Sequence, residues 1–355
     1  MEPTEAVLTK QISAASVSPT FQQRPKKSWW RWLNLFLGVM VSVVCLFLAL
    51  RSVDLAQVRQ VLQAANYLPL ALALCLCALD SAVRAIRWGV LLGEPQSAKW
   101  RFLFTSMMIG YLANNVLPAR AGELVRLYVF ERRTGVSKST SAATVILERL
   151  IDVLWLLALV GALSFFVPLP TFIRSGGRII APIFLMIAIV LLCLAIKGDH
   201  LIGLATRSVS AISPRLGQRL QGTSARFVNG LSALRSGKQA LWVATLTVMI
   251  WAIEAVMVGL VMKSLGLSVP WIASLCVLVV LSLSFIIPAA PGAVGTYEFF
   301  TIAALAPFTV NSNQAVGFAI ALHAVTYLAA MVLGLFSLSA ESLSWRELVN
   351  RTRHS

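Results

Sequence analysis

The chain has 355 residues, 58% of them hydrophobic and only 12% charged, at a mean hydropathy of +0.81. Soluble domains carry about a quarter charged residues, so a soluble enzyme is excluded. Lys and Arg number 30 against 14 Asp and Glu, a net charge of +16, and on so apolar a chain this excess points to anionic lipid headgroups, not nucleic acid.

Residues 1–28 are rich in Ser, Thr, Gln, Pro and Lys and are expected to form a disordered cytoplasmic tail. Residues 29–340 then read as one transmembrane domain, with 341–355 as a short tail. A helix needs about 20 apolar residues to cross the hydrocarbon core. The first span is placed at 32–50, too late in the chain for a signal peptide and without a small-residue cleavage site. A second is placed at 60–79. The run over 102–119 is interrupted by Gly110, Asn114, Asn115 and Pro118, and Lys or Arg flanks both its ends. It is therefore expected to dip into the membrane and return.

Residues 139–173 and 179–196 read as a helical hairpin. Residues 197–238 hold seven Lys or Arg against Asp199 alone and are expected to form a basic cytoplasmic loop, part of it an interfacial helix. A span follows at 239–262. The uncharged run 264–297 fits one span plus a segment broken at Pro288 and Pro291, and 299–340 supplies the rest of that segment and a last span. The fold expected is an all-α polytopic bundle with seven full spans and two Pro/Gly-broken segments. Basic residues at 10–31 and 84–101 place the N-terminus in the cytoplasm of a cell (inner) membrane protein.

The broken segments echo each other. Leu117-Pro118-Ala119-Arg120-Ala121-Gly122-Glu123 combines an apolar residue, Pro, Gly and Glu, as does Ile287-Pro288-Ala289-Ala290-Pro291-Gly292 running on to Gly295 and Glu298. Paired broken segments point to an internal repeat and to a transport site, because unwound backbone at membrane depth survives only where it lines a cavity.

A carboxylate at the bilayer centre costs about 2.5–3.5 kcal/mol on insertion scales, so intramembrane acids are functional candidates. Glu148 and Asp152 share a helix face, and Arg149 stands three residues before Asp152, which predicts one local ion pair. The other carboxylate is left for Arg120 or Arg126. Asn114, Asn115 and Gly122 form a polar turn that a ligand could approach, and arginines such as Arg120 and Arg126 can grip phosphate with two parallel hydrogen bonds. Arg84 and Arg87 read either as an interfacial phosphate site or as snorkelling side chains. Glu298 stands at a new helix start after Pro291, Gly292 and Gly295 and reads either as a headgroup contact or as a carboxylate balancing its own helix dipole. Glu254, with His323 and Tyr327, reads either as a polar track or, in preference, as polar groups satisfied between helices. No catalytic triad, phosphate loop or metal site can be assembled, no cofactor is expected, and the five cysteines (Cys45, Cys75, Cys77, Cys193, Cys276) all lie in apolar runs, where they act as small hydrophobes.

Together, Arg84, Arg87-Trp88, the run from Asn114 to Glu123 with Arg126, Glu148-Arg149, Asp152, Pro291-Gly292, Gly295 and Glu298 resemble the membrane portion of lysylphosphatidylglycerol synthase and its stand-alone, flippase-like relatives, over residues 33–340. Ala293 stands where a second glycine is usual. The resemblance implies a protein that moves or handles a phosphate-bearing lipid, a phospholipid or a polyprenyl-linked lipid, between leaflets. It also allows a lipid-modifying enzyme as protein partner. The headgroup would meet Asn114, Asn115, Arg120, Glu123, Arg126, Glu148, Arg149, Asp152, Pro291, Gly292, Gly295 and Glu298. Aminoacyl transfer is not expected, since only 15 residues follow Ala340. The alternatives are a membrane-embedded lipid-phosphate transferase, with Glu148 or Asp152 as base, and a non-transporting scaffold for a lipid-modifying enzyme.

Overall fold

Four of the helices start at a short polar side chain. The computed structural model describes residues 29–51, 53–93, 99–117, 121–167, 237–285 and 287–341, with side chains from residue 36 onward, and isolated positions between 182 and 189. The expected disordered tail over 1–28, most of the hairpin arm over 179–196, the loop over 197–236 and the tail beyond residue 341 lie outside the described residues. Among the described residues every regular element is a helix: α1 (Trp29–Leu50), α2 (Leu55–Gln63), α3 (Tyr67–Leu92), α4 (Trp100–Val116), α5 (Gly122–Thr134), α6 (Lys138–Leu163), α7 (Gly237–Ser264), α8 (Ile272–Ser284), α9 (Thr296–Leu305) and α10 (Ser312–Ala340). Asp54, Asn66, Ser137 and Asn311 cap α2, α3, α6 and α10 by accepting a backbone N–H of the first turn. Gly135, with φ 72°, closes α5.

Helices α3, α7 and α10 are long and apolar enough to cross a membrane, and α1 with α2 forms a pair bent by 84°. The second expected span is displaced: it begins at Tyr67, not residue 60, and runs to Leu92 through Asp80, Arg84 and Arg87. Asn66 restarts the chain, and the charges do not end the helix because each finds a partner. The span expected within 264–297 is also corrected. Helix α8 has 13 residues and rises about 20 Å, short of the roughly 30 Å hydrocarbon core.

Instead, α8 packs against α9, and α4 packs against α5. In the first pair the Asn114 Oδ1 accepts from Gly122 N at 2.8 Å, and a Cβ on Gly110 would stand 3.0 Å from the Arg126 Cβ. Residue numbers that fall on α4 as they rise on α5 make this an antiparallel hairpin. Gly122 permits it, since a Cβ there would lie 2.0 Å from the Gly110 carbonyl oxygen. Between α8 and α9 the chain passes Pro288, a 3-10 turn over Pro291–Ala293, and Gly295 at φ 89°.

Helices α3 and α7 also run antiparallel. Asn66 N donates to Ser264 O at 2.7 Å, Cys77 Sγ meets Met257 Sδ at 3.1 Å, and Arg87 reaches Thr247 at 3.1 Å. One large core joins α3, α7, α8, α9 and α10 around Ala73, Ile250, Val277, Phe318 and Leu322. A smaller one centres on Trp88, Met107, Met108 and Phe130 beneath the first hairpin. The tips of the two hairpins meet, with α4 touching the Pro291–Ala293 turn.

Candidate functional site

Four helices contribute to a buried ion network. Arg87 of α3 is fully buried and grips Asp152 of α6 with two bonds, Nη1 to Oδ1 at 2.6 Å and Nη2 to Oδ2 at 3.0 Å. It also donates to Thr247 of α7 at 3.1 Å and reaches Glu148 of α6 at 3.5 Å. Glu148, likewise fully buried, accepts from Arg126 of α5 at 2.9 Å. One turn before Arg87, Arg84 bonds Asp80 at 2.7 Å and Glu254 of α7, and stands 3.9 Å from Asp152. At the other end Arg149 pairs with Glu123, which lies 3.9 Å from Arg126. Burying so many charges is tolerable because each finds an opposite partner.

Trp88 is the floor of this network. Its ring lies 3.8 Å beneath the Arg126 guanidinium, a cation–π contact, and its Nε1 donates to Thr144 at 3.0 Å. Tyr111 of α4 packs against the Trp88 cluster. Some hydrogen-bonding capacity is left over. Among the described residues, Arg126 Nε and Nη1, Arg87 Nε and Asn115 Nδ2 are buried donors with no acceptor.

The second cluster sits at the other hairpin tip. Glu298 accepts from Gly295 N at 2.6 Å, and its second oxygen meets His323 Nδ1 of α10 at 2.6 Å. His323 Nε2 lies 2.9 Å from the Gly292 carbonyl oxygen. Its ring stacks on Tyr297 at 4.3 Å and has Tyr327 at its edge at 5.9 Å. A Cβ on Gly292 would stand 3.8 Å from the Asn115 carbonyl oxygen, so the tips of the two hairpins face each other.

Most of the predicted residues therefore converge, with several partners exchanged. The pair of Glu148 with Arg126 is found. The local pair of Arg149 with Asp152 is not: Arg149 turns to Glu123, while Asp152 is taken by Arg87, which offers it two bonds from across the helix interface. Arg84 and Arg87 are not interfacial, since Arg87 is fully buried and the Arg84 side chain is 13% exposed, and both are consumed by carboxylates. The track from Glu254 to His323 is also absent, because Glu254 takes Arg84 and His323 takes Glu298. Asn114 braces the first hairpin, and Arg120 lies outside the described residues. Asp80, Trp88, Tyr111, Thr144, Thr247 and His323 complete the clusters and were absent from the predicted site. The signal for His323 was present, for it and Glu298 are the sole His and sole acid in residues 264–340, and two such groups in an apolar run need each other.

This geometry lies inside a sequence match to the lysylphosphatidylglycerol synthase TM region, which covers residues 35–334. The chain belongs to that family. Among curated relatives, the glycosyltransferase AglD of Haloferax volcanii is 27% identical over 361 residues, spanning 90% of this chain and 57% of AglD. The chain thus covers little more than half of that relative. A UPF0104 membrane protein of Methanothermobacter thermautotrophicus is 22% identical over 76% of this chain and 86% of its own length. Another of Methanocaldococcus jannaschii is 23% identical over 84% and 93%. The chain is thus a helical membrane protein of the same family as the UPF0104 proteins and related to AglD.

Proposed function

We propose that this protein moves a phosphate-bearing lipid between leaflets, its headgroup passing between the two hairpin tips while the tails stay in lipid. The observation that carries this reading is the set of buried donors without a hydrogen-bond acceptor, on Arg87 and Arg126 either side of Glu148 and on Asn115 at the hairpin tip. An unsatisfied buried donor costs about 1–3 kcal/mol, so four such donors favour a ligand rich in acceptor oxygens, as a phosphate is. Net attraction does not supply the affinity. Arg84, Arg87, Arg126 and Arg149 face Asp80, Glu123, Glu148, Asp152 and Glu254, one more carboxylate than arginines. Directed hydrogen bonds would hold the phosphate, which lets it bind and leave.

The arrangement of the helices supports movement across the membrane. In each half a long helix leads into a hairpin and then a second long helix: α3, α4–α5, α6 and α7, α8–α9, α10. The packing repeats as well, since α4 lies on α10 as α8 lies on α6. With α3 and α7 antiparallel, the halves would be inverted repeats whose hairpins enter from opposite faces, the arrangement of alternating-access transporters. On this reading α1, α3, α6, α7 and α10 are the full spans among the described residues, five of the seven expected.

The name of AglD favours a second reading, a membrane partner for a glycosyl-transferring enzyme. A lipid-phosphate transferase with Glu148 or Asp152 as base finds less support, because arginines already occupy both carboxylates. Purified protein in vesicles of phosphatidylethanolamine and phosphatidylglycerol, with NBD-phosphatidylglycerol and external dithionite, tests the proposal. The expected result is faster loss of inner-leaflet fluorescence than in protein-free vesicles. Arg126→Lys, which keeps charge but loses the planar fork and its stacking on Trp88, should slow this at least about tenfold. Absence of any acceleration by the native protein would favour the partner reading.

A further inference from the structure

His323 is held between two acceptors. One ring nitrogen meets Glu298 Oε1 at 2.6 Å and the other meets the Gly292 carbonyl oxygen at 2.9 Å. The other Glu298 oxygen already accepts from Gly295 N at 2.6 Å. A neutral imidazole has one donor and one acceptor nitrogen. With an ionised Glu298, it can therefore satisfy only one of these contacts. Both are made only if the pair carries one further proton, either as imidazolium with carboxylate or as neutral imidazole accepting from a protonated Glu298. The two forms contain the same atoms and the same overall charge.

We infer that Glu298 and His323 form a proton-binding site that latches the tip of the α8–α9 hairpin to α10. With the proton bound, the Gly292 carbonyl and the Gly295 amide are both tied, through the pair, to one point on α10. When the proton leaves to water, a lone pair on the ring faces an oxygen lone pair, and either the bond to Glu298 or the bond to Gly292 breaks. The tip is then held by one fewer contact. The pair is not sealed in the core, since both side chains are 12% exposed.

The surroundings suit a group that changes charge. The rings of Tyr297 on α9 and Tyr327 on α10 enclose His323. Beyond Tyr297, Cys77 on α3 and Glu254 on α7 act electrostatically on the tyrosine, the latter paired with Arg84. Among the described residues of α8 and of α1 from residue 36 onward, the ionisable side chains are the cysteines Cys276 and Cys45. No described arginine or lysine forms an ion pair with Glu298, so His323 is its cationic partner. The latch is made with the proton bound and lost without it, so it weakens as pH rises. If the translocation reading holds, the site gives the hairpin tip opposite Asn115 a coupling ion, and lipid movement would respond to a proton gradient.

Thr296, buried at the start of α9, reports the tip. In a variant with the five native cysteines replaced, Thr296→Cys would be labelled with a maleimide from about pH 5 to about pH 8, and its rate divided by that of the exposed position Leu55→Cys to remove thiol ionisation. The ratio should rise about tenfold between those limits. In His323→Gln, which keeps amide hydrogen bonds but has no titrating proton, the ratio should be flat. A flat ratio in the His323-containing protein, or an unchanged rise in His323→Gln, overturns the latch. Vesicles carrying NBD-phosphatidylglycerol and an imposed pH difference separate the two readings: a labelling transition without lipid movement upholds the latch and removes the translocation reading.

Discussion

At the scale of single residues, the most informative departure is Ala293. It sits at φ 56°, in the left-handed region, where the resemblance leads one to expect glycine. A non-glycine residue pays about 1–2 kcal/mol there, and glycine's greater freedom in the unfolded chain offsets about 0.5–1 kcal/mol of the gain from replacing it. Ala293→Gly should therefore stabilise the protein by about 0.5–1 kcal/mol, seen as a higher thermal midpoint in detergent. An unchanged or lower midpoint would mean that contacts of the Ala293 methyl group outweigh its backbone conformation. The ion network teaches a related point. Spacing along α6 allows Arg149 to reach Asp152, but it cannot report that Arg87 stands opposite with two donors. Local geometry offers candidates, and packing between helices chooses among them. A carboxylate of α6 was expected to meet Arg120 or Arg126, and Glu148 does bond Arg126, although the local pair that was to leave it over is not formed.

At the scale of elements, a returning chain was readable in the first half, but not where it turns. Basic residues on both flanks of 102–119 suggested that this run dips and returns, whereas α4 runs straight from Trp100 to Val116 and the return is α5, the stretch read as the basic flank. The run over 264–297 has no such flanks. Thirty-four uncharged residues give length without direction, and length alone suggested a full span where α8 stops after 13 residues. What turns the chain is backbone chemistry: Pro288, Pro291, and a left-handed Gly292 and Gly295. Close approach matters as much in the first hairpin. Gly122→Ala would drive a Cβ to 2.0 Å from the Gly110 carbonyl oxygen, so α4 and α5 must separate. The expected cost is at least about 2 kcal/mol, with loss of folded protein on size exclusion. Gly161→Ala in α6 meets nothing within 4 Å and should raise stability by about 0.5–1 kcal/mol, as for any open glycine in a helix. Equal behaviour of the two variants would show that the hairpin is not closely packed at Gly122.

For the whole molecule, the antiparallel pairing of α3 with α7 has a consequence for sidedness. The C-terminus of α3 leads to the open end of the α4–α5 hairpin, and the C-terminus of α7 leads to that of α8–α9. Since Asn66 at the start of α3 bonds Ser264 at the end of α7, those two open ends lie at opposite ends of the bundle. Glu341 at the end of α10 agrees, bonding Thr105 near the start of α4 and Arg133 at the end of α5. The end shared by Lys99, Arg101, Arg132, Arg133 and Lys138 is the more basic, against Arg51, Arg59 and Lys263 at the other. The positive-inside rule then assigns the open end of the first hairpin to the cytoplasm and that of the second to the far side. In intact cells, a cysteine at Ser268 or Thr309 should react with an impermeant maleimide added outside, and one at Ser137 should react only after permeabilisation. Labelling of all three from one side would refute the inverted arrangement, and with it the idea that the two tips present one headgroup site alternately to the two leaflets. Labelling of Ser137→Cys alone from outside would keep the inversion and reverse the orientation, with Lys99, Arg101, Arg132, Arg133 and Lys138 on the side the rule disfavours.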